Sequence, residues 1–103
     1  MKYYIAGKIT NNPNYKQQFA EAEKQLIKEG HHVMNPAILP HGFDYEDYMT
    51  ICFAMIDVCE AMRMLEGWTE SPGANREHER ARATGKRIDY IRNMAKHGAI
   101  LFG

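Results

Sequence analysis

A seven-residue stretch decides the fold, and it reads Ser71-Pro72-Gly73-Ala74-Asn75-Arg76-Glu77. Ser71 is a favoured N-cap, because its hydroxyl oxygen can accept a hydrogen bond from a free N–H group in the first turn of a helix. Pro72 follows at the first helical position, where a helix tolerates proline best. The stretch therefore predicts a tight turn that runs directly into a helix, with the preceding loop, residues 66–70, closing over the helix start.

One face of this predicted helix is small and apolar except for a glutamate and a histidine. Its members recur with the spacing of a helix face, and they are Ala74, Glu77, His78, Ala81 and Gly85. A carboxylate on a packed face is costly to desolvate unless a partner compensates, and the helix dipole offsets only part of that cost. Glu77 is therefore a candidate functional group. The alternatives are that its side chain reaches solvent or pairs with an arginine.

Composition excludes several classes of protein. The 103 residues suffice for one domain, and their net charge of zero gives no reason to expect a nucleic acid or an anionic membrane as a partner. No apolar run approaches the ~20 residues of a membrane span, and the N-terminus predicts a strand rather than a signal peptide. Cys52 and Cys59 share one predicted helix at a separation too large for a mutual disulfide, so we expect a reduced, cytoplasmic protein.

Predicted strands and helices alternate along the chain. Short apolar runs predict strands at residues 3–6, 32–34, 61–65 and 87–91. The three predicted helices begin at Pro13 with Asn12 as the cap, near Asp44, and at Pro72. The middle helix is expected to bury Tyr45, Tyr48, Cys52, Ile56 and Cys59. This alternation predicts an α/β fold of three layers, in which a parallel sheet of four to five strands has helices on both faces. Residues 99–102 could form the fifth strand or a docking segment.

Three predicted loops meet at the carboxyl edge of this sheet, where ligands bind in folds of this kind. They span residues 7–12, 35–43 and 66–73. The first and last pair a glycine with a helix N-terminus, which can hold an anion such as phosphate, although a glycine after a strand is usually only a turn. Neither contains a dinucleotide or Walker motif, and the histidines show no metal-ligand spacing. We therefore expect no cofactor and no metal.

Two motifs together resemble a known superfamily. The first is Tyr4-Ile5-Ala6-Gly7, and the second is Ser71-x-Gly73-x-x-x-Glu77 followed by Ala81-x-x-x-Gly85-Lys86. From Tyr3 to about Ile91 the chain resembles the nucleoside 2-deoxyribosyltransferase superfamily, which includes nucleoside 5′-monophosphate N-glycosidases. It is most similar to a short, mostly uncharacterised branch from bacteria and phages, whose markers are Gly67-Trp68 and Gly73-Ala74-x-x-Glu77-His78. The resemblance implies a single flavodoxin-like (Rossmann-like) domain over residues 1–103.

The resemblance implies a catalytic role for two residues. Glu77 would act as nucleophile or base at C1′ of a ribosyl or deoxyribosyl group. Breaking an N-glycosidic bond develops oxocarbenium-like charge, which a nearby carboxylate can stabilise or trap. Tyr4 would position that carboxylate by a hydrogen bond.

The resemblance also implies a substrate site around the two motifs. Gly7 would leave room for a nucleotide against the first loop. Ser71 and Gly73 match the positions that hold a 5′-phosphate in monophosphate-specific members. Lys8 and Thr10 could add hydrogen-bond donors to the same site.

The chain departs from the superfamily pattern at one position. Members with demonstrated chemistry carry an aspartate near the position of Cys52, on the helix before the third strand. Either Asp57, which lies off the predicted core face, has moved into that role, or the chain lacks the group. A missing proton donor could cost ~10²–10⁴-fold in rate.

Two further side chains are candidates for the site. Trp68 could stack on a base, or it could be held against its own domain or a neighbouring subunit. His78 could take part in catalysis, but packing or hydrogen bonding beside Glu77 is the simpler interpretation.

The leading hypothesis is an N-glycosidase or deoxyribosyltransferase that acts on a small-molecule nucleoside or nucleotide. The rival is a non-catalytic module that binds a nucleotide or an ADP-ribose-like ligand, or a phage accessory protein that binds a host partner. We also expect a homo-oligomer, at least a dimer, with the helix from about Asp44 to Cys59 in the contact, because large apolar side chains exceed what so small a core can absorb.

Overall fold

The computed structural model describes residues 1–91, so the segment 99–102 lies outside the described residues. The strands are β1 (Lys2–Ala6), β2 (His32–Met34), β3 (Ala61–Met64) and β4 (Arg87–Tyr90). The helices are α1 (Tyr15–Lys28), α2 (Tyr45–Asp57) and α3 (Pro72–Ala83), and single turns of 3₁₀ helix occur at Pro36–Ile38 and Trp68–Glu70. Within this part of the chain, no helix is long and apolar enough to cross a membrane.

The four strands form one parallel sheet in the order β2-β1-β3-β4. Along β1 and β3, the Cα partners run from Tyr3 opposite Ala61 to Ala6 opposite Met64. The direction in which strands are added reverses between β1 and β3, and this is the switch point of a flavodoxin-like sheet. The parallel α/β sheet predicted from the alternation of elements is confirmed, with four strands among residues 1–91.

Successive side chains of β1 enter two different cores, because neighbouring residues of a strand point to opposite faces. Tyr3 and Ile5 pack against the buried face of α1. Tyr4 and Ala6 pack on the other face, with buried residues of α2 and α3. The sheet therefore lies between α1 and the pair α2–α3, which is the predicted three-layer arrangement.

The predicted start of α3 is confirmed. The Ser71 hydroxyl oxygen accepts a hydrogen bond from the Ala74 N–H at 3.1 Å, and Pro72 occupies the first turn. The Asn75 side chain donates to the Thr69 carbonyl at 3.1 Å, which fastens the preceding loop to the same turn. The loop of residues 65–70 and this junction connect β3 to α3 and bring the start of α3 to a cavity at the end of the strand.

Two details of the predicted helices are wrong. The first helix begins at Tyr15 rather than at Pro13, because Asn12 closes a turn instead of capping a helix: its side chain donates to the Lys8 carbonyl at 2.8 Å. In α2, Met49 is buried whereas Tyr45 is 49% exposed and Tyr48 is half-buried.

The first turn of α2 explains the second difference. Met49, Cys52 and Ile56 lie at i, i+3 and i+7 on one helix face. Tyr45 and Tyr48 continue the same face into the first turn, where it lines an open cavity instead of the closed core. Cys59 is buried, as predicted, but it lies beyond the end of α2 and not on the helix. Both cysteines are free thiols.

Gly7 ends β1 at a point of close packing. A Cβ atom there would lie 3.1 Å from the Leu65 Cβ and 3.1 Å from the Phe19 Cζ. Real Cβ atoms are seldom so close to their neighbours, so the missing side chain allows β1 to pack against α1 and β3. Close packing is thus a structural reason for this glycine, and the other predicted reason, room for a nucleotide, stays a prediction.

We predict that Gly7→Ala lowers the free energy of unfolding by about 1–3 kcal/mol, the usual cost of an overpacked methyl group. Urea denaturation would measure it. Phe19→Leu removes the Phe19 ring atom, one of the two atoms that the new methyl group meets. The double variant should therefore lose less free energy of unfolding than the two single variants lose together. Strictly additive losses would show that this contact does not explain the glycine.

Candidate active site

A cavity of about 370 Å³ opens at the carboxyl edge of the sheet, beside the ends of β1 and β3. Its volume lies within the ~300–1,000 Å³ range of small-molecule sites. All three loops predicted to meet at this edge contribute to its wall. Six of the residues predicted from the sequence line it, and they are Gly7, Lys8, Thr10, Ser71, Gly73 and Glu77.

Glu77 faces this cavity from the buried side of α3 and is only 7% exposed. Its carboxylate accepts a hydrogen bond of 2.8 Å from the hydroxyl of Tyr4, which is fully buried on β1. The two alternatives for Glu77, a side chain in solvent or an arginine pair, therefore do not describe it. The hydrogen bond predicted between Tyr4 and Glu77 is present.

Burial alters the acid–base behaviour of this group. Desolvation raises the pKa of the Glu77 carboxyl to about 7, and the Tyr4 hydroxyl and the Cys52 thiol offset part of that rise. Burial, together with the charge of Glu77, raises the pKa of Cys52 to about 12 and places the pKa of Tyr4 well above its usual value. Both neighbours are therefore protonated at neutral pH and can act as donors toward the carboxylate.

The structure brings Cys52 to the cavity but not Asp57. Cys52 lines the wall next to Glu77. Asp57 lies at the other end of α2, where its carboxylate is paired with the Arg80 guanidinium at 3.0 and 2.6 Å. Hydrogen bonding to Arg80 lowers the pKa of Asp57, so this group is ionised at neutral pH and remote from Glu77. It does not take the place of an acid beside the cavity.

Trp68 and His78 lie outside the cavity wall. Their rings stack at a centroid distance of 4.4 Å and an interplanar angle of 31°, and the His78 Nε2 is 2.8 Å from the Tyr90 hydroxyl oxygen. Burial and the nearby Arg82 lower the pKa of His78. Both rings therefore contact residues of their own domain, which is one of the alternatives given for each, and the structure does not bring either ring to the cavity.

Sequence reasoning missed an apolar wall of the cavity. It is formed by Leu39, Tyr45, Tyr48 and Met49. The sequence did contain a signal for this wall, because the second helix was predicted to start near Asp44. Helices that follow parallel strands begin near the carboxyl edge of the sheet, so the first turn of this helix could have been expected beside the cavity. Among residues 1–91, no group of three or more His, Cys, Asp or Glu side chains could hold a metal ion.

Residues 1–90 match a protein family described as a domain of unknown function, DUF4406. The chain belongs to the DUF4406 family. No curated protein matches the sequence significantly.

The fold of this DUF4406 chain is similar to that of a CMP N-glycosidase from Clostridium botulinum. The TM-score is 0.67 at 18% identity, over 94% of this chain and 79% of that chain. A 2-deoxyribosyltransferase from Bacillus psychrosaccharolyticus is also similar, with a TM-score of 0.66 at 20% identity over 92% and 79%. At these identities the likeness establishes a shared fold, and it confirms the predicted flavodoxin-like architecture.

The buried carboxyl makes the stability of the DUF4406 protein depend on pH. The pKa of Glu77 is about 7 in the folded state, against an ordinary value of 4.5, so the folded state binds the proton more tightly. The free energy of unfolding therefore falls as the pH rises through this interval. Glu77→Gln should abolish that fall and stabilise the protein at about pH 8 by up to about 3 kcal/mol, with little effect near pH 4.

Denaturant titrations across this range would measure the effect. Glu79→Gln is the matched control, because Glu79 lies on the same helix with its side chain exposed. The same pH dependence in wild type and Glu77→Gln would contradict the assignment of the raised pKa to Glu77.

Proposed function

We propose that this DUF4406 protein breaks the N-glycosidic bond of a nucleoside or a nucleoside 5′-monophosphate, as an N-glycosidase or a deoxyribosyltransferase. The observation that carries the proposal is the buried Glu77 carboxyl, which the Tyr4 hydroxyl holds at the wall of a ligand-sized cavity. The shared fold with a CMP N-glycosidase and a 2-deoxyribosyltransferase supports it. In this proposal residues 1–103 form a single domain.

Glu77 acts as the nucleophile in the proposed reaction. Its ionised oxygen forms a bond to C1′ of the sugar while the C1′–N bond breaks, and the electron pair of that bond moves to the nitrogen of the departing base. The base takes up a proton from water. A water molecule, or a second base, then attacks C1′, loses a proton to the solvent in place of the one that the departing base took up, and displaces the carboxylate, which completes hydrolysis or transfer.

The surroundings of Glu77 suit this chemistry. Its pKa of about 7 leaves a substantial ionised fraction at neutral pH, and a poorly solvated carboxylate has little hydration to lose when it reacts. The Tyr4 hydroxyl holds one carboxylate oxygen at 2.8 Å, which fixes the direction of the other. Aromatic and apolar side chains at the start of α2 provide a surface for a base.

Self-association is part of the proposal. Phe43, Tyr45 and Ile51, which lie just before α2 or on it, are 55%, 49% and 37% exposed. Exposed apolar side chains in one region commonly mark an interface. A homodimer that covers this region would place a second chain beside the mouth of the cavity.

A second candidate function is binding of a nucleotide without turnover. The observation that favours it is Cys52, a protonated thiol with a pKa of about 12 beside Glu77. Such a thiol is a poor proton donor to a leaving base. An enzyme would then depend on water to protonate the leaving base. A protein that only binds a nucleotide needs no proton donor at this position.

The first experiment is a screen for free-base release by chromatography, over ribonucleosides, deoxyribonucleosides and their 5′-monophosphates. Wild type should release a base from at least one of them. Glu77→Gln should lower that rate by at least ~10²-fold, because the amide cannot attack C1′, while the fold is retained. Glu79→Gln is the control and should keep the rate of wild type.

Two results would decide against catalysis by Glu77. Normal turnover by Glu77→Gln would remove Glu77 from the reaction. Calorimetric binding of a nucleoside or nucleotide by wild type, without base release from any substrate, would favour the binding module.

A further inference from the structure

The start of α3 offers few free donors to an anion. Pro72 has no N–H group, and the Ala74 N–H already donates to the Ser71 hydroxyl oxygen at 3.1 Å. The remaining donors of the first turn that face the cavity are the Gly73 N–H and the hydrogen of the Ser71 hydroxyl. Helix N-termini that hold phosphate rely on several N–H groups pointing at the ligand, so this one is a poor phosphate site.

The positive charge opposite the start of α3 is already compensated. The Lys8 Nζ lies 3.0 Å from the Glu70 Oε1. Among the described residues that line the cavity, Lys8 is the only lysine or arginine, whereas Glu70 and Glu77 both contribute carboxyl groups. The Glu70 side chain is 68% exposed, so a phosphate that reached Lys8 would compete for it with a solvent-exposed carboxylate.

A pentose is about as long as the first part of α3. The helix rises about 6 Å over the four residues from Gly73 to Glu77, a length comparable with a pentose and its 5′ carbon. A sugar with C1′ at Glu77 and its ring along α3 would bring the 5′ substituent to Gly73, on the cavity wall to which Lys8 and Glu70 also contribute.

We infer that the cavity selects substrates that are uncharged at the 5′ position, so that it takes a nucleoside in preference to its 5′-monophosphate, and that Glu70 enforces this selection. The inference rests on the proposed function, since it assumes that a sugar lies with C1′ at Glu77. The Glu70 carboxylate can accept a hydrogen bond from a 5′-hydroxyl, but it repels a phosphate dianion. Glu70 thus acts as a specificity-determining residue, and Ser71 and Gly73 contact the sugar rather than a phosphate.

Isothermal titration calorimetry tests the inference with pairs of ligands that differ only in the 5′-phosphate, such as cytidine with CMP and thymidine with dTMP. Wild type should bind the nucleoside of a pair more tightly. Glu70→Gln removes the repulsion and frees Lys8, so it should shift the ratio of the two dissociation constants toward the monophosphate by about two- to fivefold at low salt, because the exposed Glu70 carboxylate is screened by solvent. Adding Lys8→Gln to this variant should reverse the shift.

The matched control is Glu66→Gln, which removes the same charge from an exposed position on the same loop, away from the cavity wall, and should leave the ratio unchanged. Tighter binding of the monophosphate by wild type, or a ratio that Glu70→Gln does not change, would overturn the inference while leaving the proposed function intact. If wild type binds neither ligand of any pair, the proposed function fails and the inference fails with it.

Discussion

The hydrogen bond from the Tyr4 hydroxyl to the Glu77 carboxylate joins the first strand to the last described helix, and the chemistry of the cavity depends on it. Both partners are nearly inaccessible to water, so each would be costly to bury alone. Ala74 and Ala81 on the same face of α3 are small, which lets the helix approach the sheet closely enough for the bond to form. A carboxyl held in this way is oriented, poorly solvated and easily protonated, three properties on which the proposed reaction depends.

The position of the cavity follows from the topology of the sheet. Because β1 lies between β2 and β3, the connections that follow β1 and β3 leave toward opposite faces, and a crevice remains between them at the carboxyl edge. Gly7 begins one of these connections and Ser71 ends the other. The start of α2 closes the third side with apolar rings, so the cavity has a polar wall against α3 and an apolar wall against α2. The proposed substrate, a nucleoside with a polar sugar and a flat apolar base, would match these two walls.

Local signals in the sequence were sufficient for the fold and for the centre of the site. The cap at Ser71, the spacing that turns Glu77 inward and the resemblance that pairs it with Tyr4 depend on residues close in sequence or on a motif. The errors concern contacts between distant segments. Asp57 is paired with Arg80 of another helix, the first turn of α2 lines the cavity instead of the core, and no periodicity in the chain reveals either arrangement.

The central claim is that Glu77 is a buried carboxyl, held by Tyr4, with a raised pKa. A ¹³C NMR titration of the glutamate side-chain carboxyls, with Glu77 assigned by its loss in Glu77→Gln, tests this directly in wild type and in Tyr4→Phe. The account predicts that Glu77 titrates near pH 7 in wild type. In Tyr4→Phe its pKa should be higher still, because the Tyr4 hydrogen bond stabilises the ionised carboxylate in wild type and is missing from the variant. A Glu77 that titrates near the ordinary value of 4.5, or whose pKa is the same in both proteins, would contradict it.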